Sequence, residues 1–127
     1  MADAAAIRAT IERYAERHTA GDIDGIVACF AADAHIEDPV GSSAHIGTEA
    51  IRAFFTSTHE LCDRLELTLT GPVRVAGHTA AFPMMARSHI ATMVMEIDII
   101  DVMTFDDDAK VSEMYAYWNM DDARVVS

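Results

Sequence analysis

The chain has 127 residues, 51% of them apolar and 7% aromatic, with 21 acidic against 9 basic side chains and a formal charge of -12. That length supports one core and is short for two, so residues 1–127 are read as a single domain; with no Lys/Arg cluster able to follow a phosphate backbone, nucleic acid is not an expected partner. No apolar run reaches the roughly 20 residues of a spanning helix, and the opening MADAAAIRAT has neither the basic start nor the apolar stretch of a signal peptide, so a soluble, cytoplasmic protein with no membrane partner is expected.

Ile7, Ile11, Tyr14 and His18 recur at the spacing of one helical face, which predicts a helix over Ala4–Thr19 that stops before Gly21. Asp22 is placed to cap a second helix with the stripe Ile23, Ile26, Val27 and Phe30. Cys29 falls on that apolar stretch, where a small core thiol is the default, and with Cys62 it forms no disulfide framework or metal pair. Pro39 and Gly41 break the period, and a short strand is expected over His35–Asp38, followed by a loop. Helical spacing resumes through Ile51, Phe54 and Phe55, with Thr48 as the expected cap. From Leu61 on, RLELTLTGP, VRV, TAAFPMMARSHI, MVMEIDIIDVMTF and KVSEMYAYWNM alternate as strands of a meander. Helices first and strands later give an α+β class, with helices covering one face of a curved, mostly antiparallel sheet.

Three residues stand out chemically. In the strand Met95–Phe105 the odd positions read Met, Ile, Ile, Asp, Met, Phe, so Asp101 sits in the middle of an apolar face while Asp98 lies on the other, mixed face. A carboxyl in apolar surroundings is disfavoured in its charged form, so a raised pKa is expected for Asp101, and a neutral carboxyl can donate a hydrogen bond. A structural ion pair, or a bulge turning the side chain outward, would account for the same pattern. Tyr14 occupies the apolar stripe of the first helix with a hydroxyl that needs a partner, as any core tyrosine would. Asp38 precedes Pro39, which withholds the following amide, and shares a strand face with Ile36, while Glu37 takes the opposite, solvent side; an Asp-Pro turn is the plain alternative.

The six histidines show no metal-ligand spacing and are read as solvated surface, and no phosphate loop or nucleophilic serine or cysteine is set up. The methionines at strand spacing mark core, or a flexible wall for a bulky flat ligand.

From IERYAERHTAGDIDGIVACFAADAHIEDPVG through HIGTEAIRAFF, LTGPVRV, IDIIDVMTF and MYAYWN, spanning about Ile11 to Asn119, the chain resembles the bacterial steroid Δ5-isomerases, the ketosteroid isomerase family. The resemblance implies the cone-shaped fold of the nuclear transport factor two superfamily, with three N-terminal helices on a curved sheet around a deep apolar pocket. It implies isomerisation of Δ5-3-ketosteroids to conjugated Δ4-3-ketosteroids, without metal or organic cofactor, by a homodimer. It puts the general base on Asp38, the oxyanion tyrosine on Tyr14 and the protonated oxyanion carboxyl on Asp101. It puts the steroid-binding wall on Phe54, Phe82, Met84, Ile97, Ile99, Met114, Ala116 and Trp118. Where some members carry further network tyrosines, this chain has Phe30 and Phe55. Rival readings are a polyketide cyclase, dehydratase or epoxide hydrolase on the same fold, which would want a different polar set such as His-Asp or Asp-Arg-Asp, and a non-catalytic sterol- or lipid-binding module, in which Asp38 would have no role.

Overall fold

The structure is a computed structural model that describes residues 1–127. Helix α1 (Ala4–Thr19) has the expected bounds, with Asp3 accepting from the Ala6 amide at 2.8 Å at its start. It ends in a Schellman arrangement: the amides of Gly21 and Asp22 donate to the carbonyls of His18 and Arg17, both at 3.0 Å, and Gly21 takes φ +68°, a conformation that costs glycine nothing. Asp22 then caps α2 (Ile23–Val27) through the Gly25 amide, as its position before the apolar stripe implied.

The second helix is shorter than its stripe. Phe30 does not continue α2; it opens strand β1 (Phe30–Glu37), paired with Val111. Burial of Phe30 is the same in either arrangement, so apolar spacing could not distinguish them. Strand β1 therefore begins five residues before the expected His35, and Asp38 stands immediately past its end. A two-residue strand β2 (His45–Ile46) pairs with it before α3 (Thr48–Glu60). Thr48 is the first helical residue and not the cap; Gly47 holds that place at φ +89°, and the Thr48 hydroxyl donates instead to the Ala32 carbonyl at 3.5 Å.

The remaining strands are β3 (Arg64–Leu69), β4 (Arg74–Ala76), β5 (Thr79–Ile90), β6 (Met93–Phe105), β7 (Val111–Tyr117) and β8 (Arg124–Val125), with a 3-10 turn at Met120–Asp122. The main sheet runs β2-β1-β7-β6-β5-β3, with β4 on β5 and β8 on β6; β1 and β7 are parallel and the other pairs antiparallel. Pro83 lies in β5 between the stretch paired to β4, which ends at Ala81, and the stretch paired to β3, which begins at Met84, so its missing amide falls where neither ladder needs a donor.

The helices close over the inner face of this sheet. Ile7, Ile11, Ile26, Ile36, Ile51 and Phe55 are fully buried between the two layers, and truncation of side chains at such positions costs about 2–5 kcal/mol. Thr19 fixes the end of α1 to β3, its hydroxyl donating to the Leu67 carbonyl at 3.2 Å and accepting from the Leu67 amide at 2.9 Å. The three helices and the open mixed sheet form the α+β cone, and no helix is long and apolar enough to cross a membrane.

Candidate active site

Between the helices and the inner face of the sheet lies a cavity of about 300 Å³, lined mainly by apolar side chains. The alternation of β6 decides what it sees. Ile97, Ile99 and Asp101 face the cavity, whereas Asp98 and Ile100 point out and are exposed. Asp101 is 3% exposed, and in the ladder its neighbours are Phe82 of β5 and Ala116 of β7. Burial pushes its carboxyl well above the ordinary carboxylate range, and the charge of Asp38 adds to the shift. No hydrogen bond works against that shift, so burial favours the protonated form of Asp101, which can donate a hydrogen bond.

Asp38 reaches the same cavity from the other side of β7. The last β1–β7 pair is Glu37 with Tyr115, which sets Asp38 beside Ala116, and the Val40 amide ties the following loop to the Ala116 carbonyl at 2.8 Å. Asp38 and Asp101 thus flank Ala116 on one rung, two strand spacings or about 10 Å apart. Because alanine fills so little of that rung, the space between the two carboxyls stays open. The Trp118 indole N–H donates to Asp38 Oδ1 at 2.6 Å. Burial raises the Asp38 pKa, while the Trp118 hydrogen bond and then His45 pull the other way. The net result is a carboxylate more basic than an ordinary aspartate yet still stabilised in its charged form. Glu37 is turned from the cavity and interacts with His35 at 3.2 Å, half-buried and not fully solvated.

Tyr14 comes down from α1 and is 3% exposed, its ring edge-on to Phe30 and Phe55 at 5.9 and 6.3 Å. Those two phenylalanines give it packing and no hydroxyl, so no tyrosine chain extends from it. Burial first, then the negative charge of Asp101 and Asp38, raises the Tyr14 pKa well above the usual phenol value, so it too keeps its proton.

Of the expected wall, Ile97, Ile99, Ala116 and Trp118 line the cavity. Phe54, Phe82, Met84 and Met114 are not among the residues that line it. Phe82, Met84 and Met114 belong to the buried core, at 1%, 0% and 0% exposure. Phe54 sits one residue, or about 100° of helix, from the lining residue Phe55, and stacks on His45 at 4.3 Å. The wall further includes Leu65 and Leu67 of β3 and, against the expectation of a solvated surface, His18, which is 3% exposed. Its place on the Ile7–Ile11–Tyr14 stripe was the signal that could have found it. No group of three or more His, Cys, Asp or Glu side chains is gathered as in a metal site.

A SnoaL-like domain model matches residues 11–114. The chain is 33% identical over 114 residues to steroid Delta-isomerase from Nocardioides simplex, covering 90% of each chain. It is 29% identical to epoxide hydrolase LasB from Streptomyces lasalocidi over 84% of this chain, spanning only 45% of that longer protein. Among solved structures, SalBIII, an epoxide hydrolase/cyclase-like enzyme in pyran ring formation in the polyether salinomycin, superposes with a TM-score of 0.89 at 26% identity, over 99% of this chain and 100% of the other. The chain thus belongs to the SnoaL-like family of the nuclear transport factor two-like fold, as a relative of steroid Delta-isomerase.

Proposed function

We propose that the protein is a steroid Δ5-isomerase that converts Δ5-3-ketosteroids to conjugated Δ4-3-ketosteroids. The observation that carries this reading is the rung Asp38–Ala116–Asp101 beneath Tyr14, one basic carboxylate facing two proton-holding donors across a gap in an apolar cavity.

The substrate ketone lies between Tyr14 and Asp101. Asp38, as carboxylate, takes a proton from the carbon between the ketone and the β,γ double bond, and the electrons of that C–H bond move onto the oxygen as a dienolate. Tyr14 O–H and the neutral Asp101 carboxyl donate to that oxygen; in a site with little water such preorganised donors are worth about 3–4 kcal/mol each. Asp38, now protonated, delivers the same proton to the far end of the diene, and the conjugated enone forms with the base restored. A base of raised pKa is suited to both halves, because it must accept the proton and then release it. Trp118 holds the carboxylate towards the cavity while it does so.

The relationship to LasB and SalBIII supports a second reading. Neutral Asp101 could protonate an epoxide oxygen while Asp38 takes the proton of an attacking hydroxyl. Tyr14 separates the two, since a dienolate oxygen uses both donors and an epoxide needs one acid. We also infer a homodimer through the outer face of the sheet, where the paired residues Ile100 and Tyr117 are 54% and 52% exposed.

The test is incubation of the purified protein with a Δ5-3-ketosteroid, following the conjugated enone by ultraviolet absorbance, beside an epoxide substrate in parallel. Enzyme-dependent enone formation is expected. Epoxide opening with no enone at any protein concentration would favour the second reading.

A further inference from the structure

Two strongly exposed apolar side chains border the cavity. Leu61, at the end of α3, is 77% exposed, and Met120, in the 3-10 turn, is 58% exposed. Ile90 and Met95, on the β5–β6 hairpin, line the same cavity and are half-buried. The four come from three separate parts of the chain, so no single amphipathic element accounts for them. Apolar residues scattered singly over a surface need no explanation, but a set of them around one opening marks a contact for an apolar ligand.

The sheet fixes how far this rim lies from the oxyanion donors. Strands β5 and β6 pair without a break from Thr79 with Thr104 to Ile90 with Met93, so distance along them is counted in residues. Leu67, Ala86 and Ile97 form one cavity-lining rung, four residues along β6 from Asp101, about 13 Å of strand. Leu65, Ser88 and Met95 form the next, six residues from Asp101, about 20 Å of strand. On the helical side, Leu61 is six residues, about 9 Å of helix, past Phe55, whose ring packs on Tyr14. Asp63 joins the two sides there: its amide donates to the His89 carbonyl at 2.8 Å, and its carboxylate accepts from the Ala91 amide at 2.9 Å.

We infer that the substrate carries an apolar alkyl chain on C17, the end of the steroid ring body farthest from its 3-ketone, and that Leu61, Ile90, Met95 and Met120 form the subsite for that chain. This inference rests on the steroid reading of the site. With the ketone between Tyr14 and Asp101, one hydrogen bond takes up about 3 Å. The ring body, about eight C–C bonds long with about 1.25 Å of advance per bond, takes up about 10 Å. It therefore ends near the rung of Leu67, Ala86 and Ile97 and leaves about 7 Å of lined wall, room for roughly five or six further C–C bonds. The wall there favours hydrocarbon over a second oxygen. The rung where a C17 oxygen would fall has no polar side chain. Nearer the rim, the Thr58 hydroxyl is spent on the Phe54 carbonyl at 3.0 Å, and the Cys62 thiol lies 4.0 Å from the Thr58 and His59 carbonyls. Ser88 is then one hydroxyl against four large apolar side chains.

The experiment is equilibrium binding of androst-4-en-3-one, pregn-4-en-3-one and cholest-4-en-3-one, each below its solubility limit. These product analogues share ring body and ketone and differ only in the chain on C17. Binding is read by quenching of Trp118, the single tryptophan, whose indole lines the cavity. The wild type is expected to bind the cholestane member roughly tenfold tighter than the androstane member, with the pregnane member between them, as partial burial of several CH₂ groups requires. Leu61→Ser combined with Met120→Ser, at exposed positions outside the core, should cut that ratio to about threefold or less. Ile46→Ser, 62% exposed and not part of the cavity wall, should leave it unchanged, which separates contact at the rim from the general lipophilicity of the chain. A wild-type ratio near one, a ratio that survives the double substitution, or one that Ile46→Ser lowers equally overturns the chain subsite while leaving the isomerase reading intact. If none of the three steroids binds, the steroid reading falls and the subsite with it.

Discussion

Asp98 and Asp101 lie three residues apart on one strand and have opposite fates. Asp98 points outward, its side chain 67% exposed, and the Arg124 guanidinium donates to it at 2.8 Å, which holds its carboxyl below the ordinary range. Asp101 points inward, meets no cation, and is pushed up by burial. The only covalent difference is one step of the strand alternation. The same residue type becomes a surface ion-pair member on one face and a buried carboxyl with a raised pKa on the other. Asp38 completes the comparison from a third environment, buried enough to be basic yet held by an indole N–H that favours its charge.

Replacements at these three positions should rank by environment. Asp38→Asn removes the proposed proton acceptor and keeps the shape; turnover of a Δ5-3-ketosteroid is expected to fall by about 10³-fold or more, with steroid binding, read by Trp118 quenching, retained. Turnover equal to wild type would show that another group is the base. Asp101→Leu removes one of the two proposed oxyanion donors, and a loss of about 10²-fold in kcat is expected, smaller than that of Asp38→Asn because the Tyr14 hydroxyl is still there to donate. A loss exceeding that of Asp38→Asn would invert the roles assigned here.

The folded-state pKa of Asp101 is raised above its unfolded value, so between the two the folded chain binds more protons, and its contribution is present below the ordinary carboxylate pKa and lost as pH rises through the folded value. Asp101→Asn cannot ionise. Its melting temperature should gain on that of the wild type as pH rises from about 4 towards 9, and a constant difference across that range would count against a raised pKa. Asp98→Ala is expected to do least: less than about 1 kcal/mol in denaturant unfolding and no change in enone formation, since an exposed ion pair contributes little.

The same alternation explains what could be read from the chain and what could not. The placement of Asp101 among Met, Ile and Phe on the odd positions of β6 follows from parity alone, and so does the side of the strand taken by Asp38. Parity gives a face and not a depth. Phe82 and Met84 lie in the same strand run as the cavity wall, but they are sealed in the core, and only the folded chain shows that depth. The contact between Trp118 and Asp38 joins residues 80 positions apart, and nothing local in either segment announces it. His18 is legible as part of the α1 stripe, and its burial follows that stripe and not the solvated surface expected of the histidines as a group. Phe30 shows the converse, a residue whose burial was legible and whose element was not, because helix α2 and strand β1 bury it equally.

The most direct test of the contrast between the two faces is a ¹³C NMR titration of protein labelled at the aspartate carboxyl carbons, with Asp98→Ala and Asp101→Asn used to assign the signals. At pH 7 the Asp101 carboxyl is expected still to carry its proton, while Asp98 is fully ionised and titrates below an ordinary aspartate. An Asp101 signal already in its carboxylate position at pH 7 would contradict it, because the site would then hold two like charges and only one donor for the oxyanion.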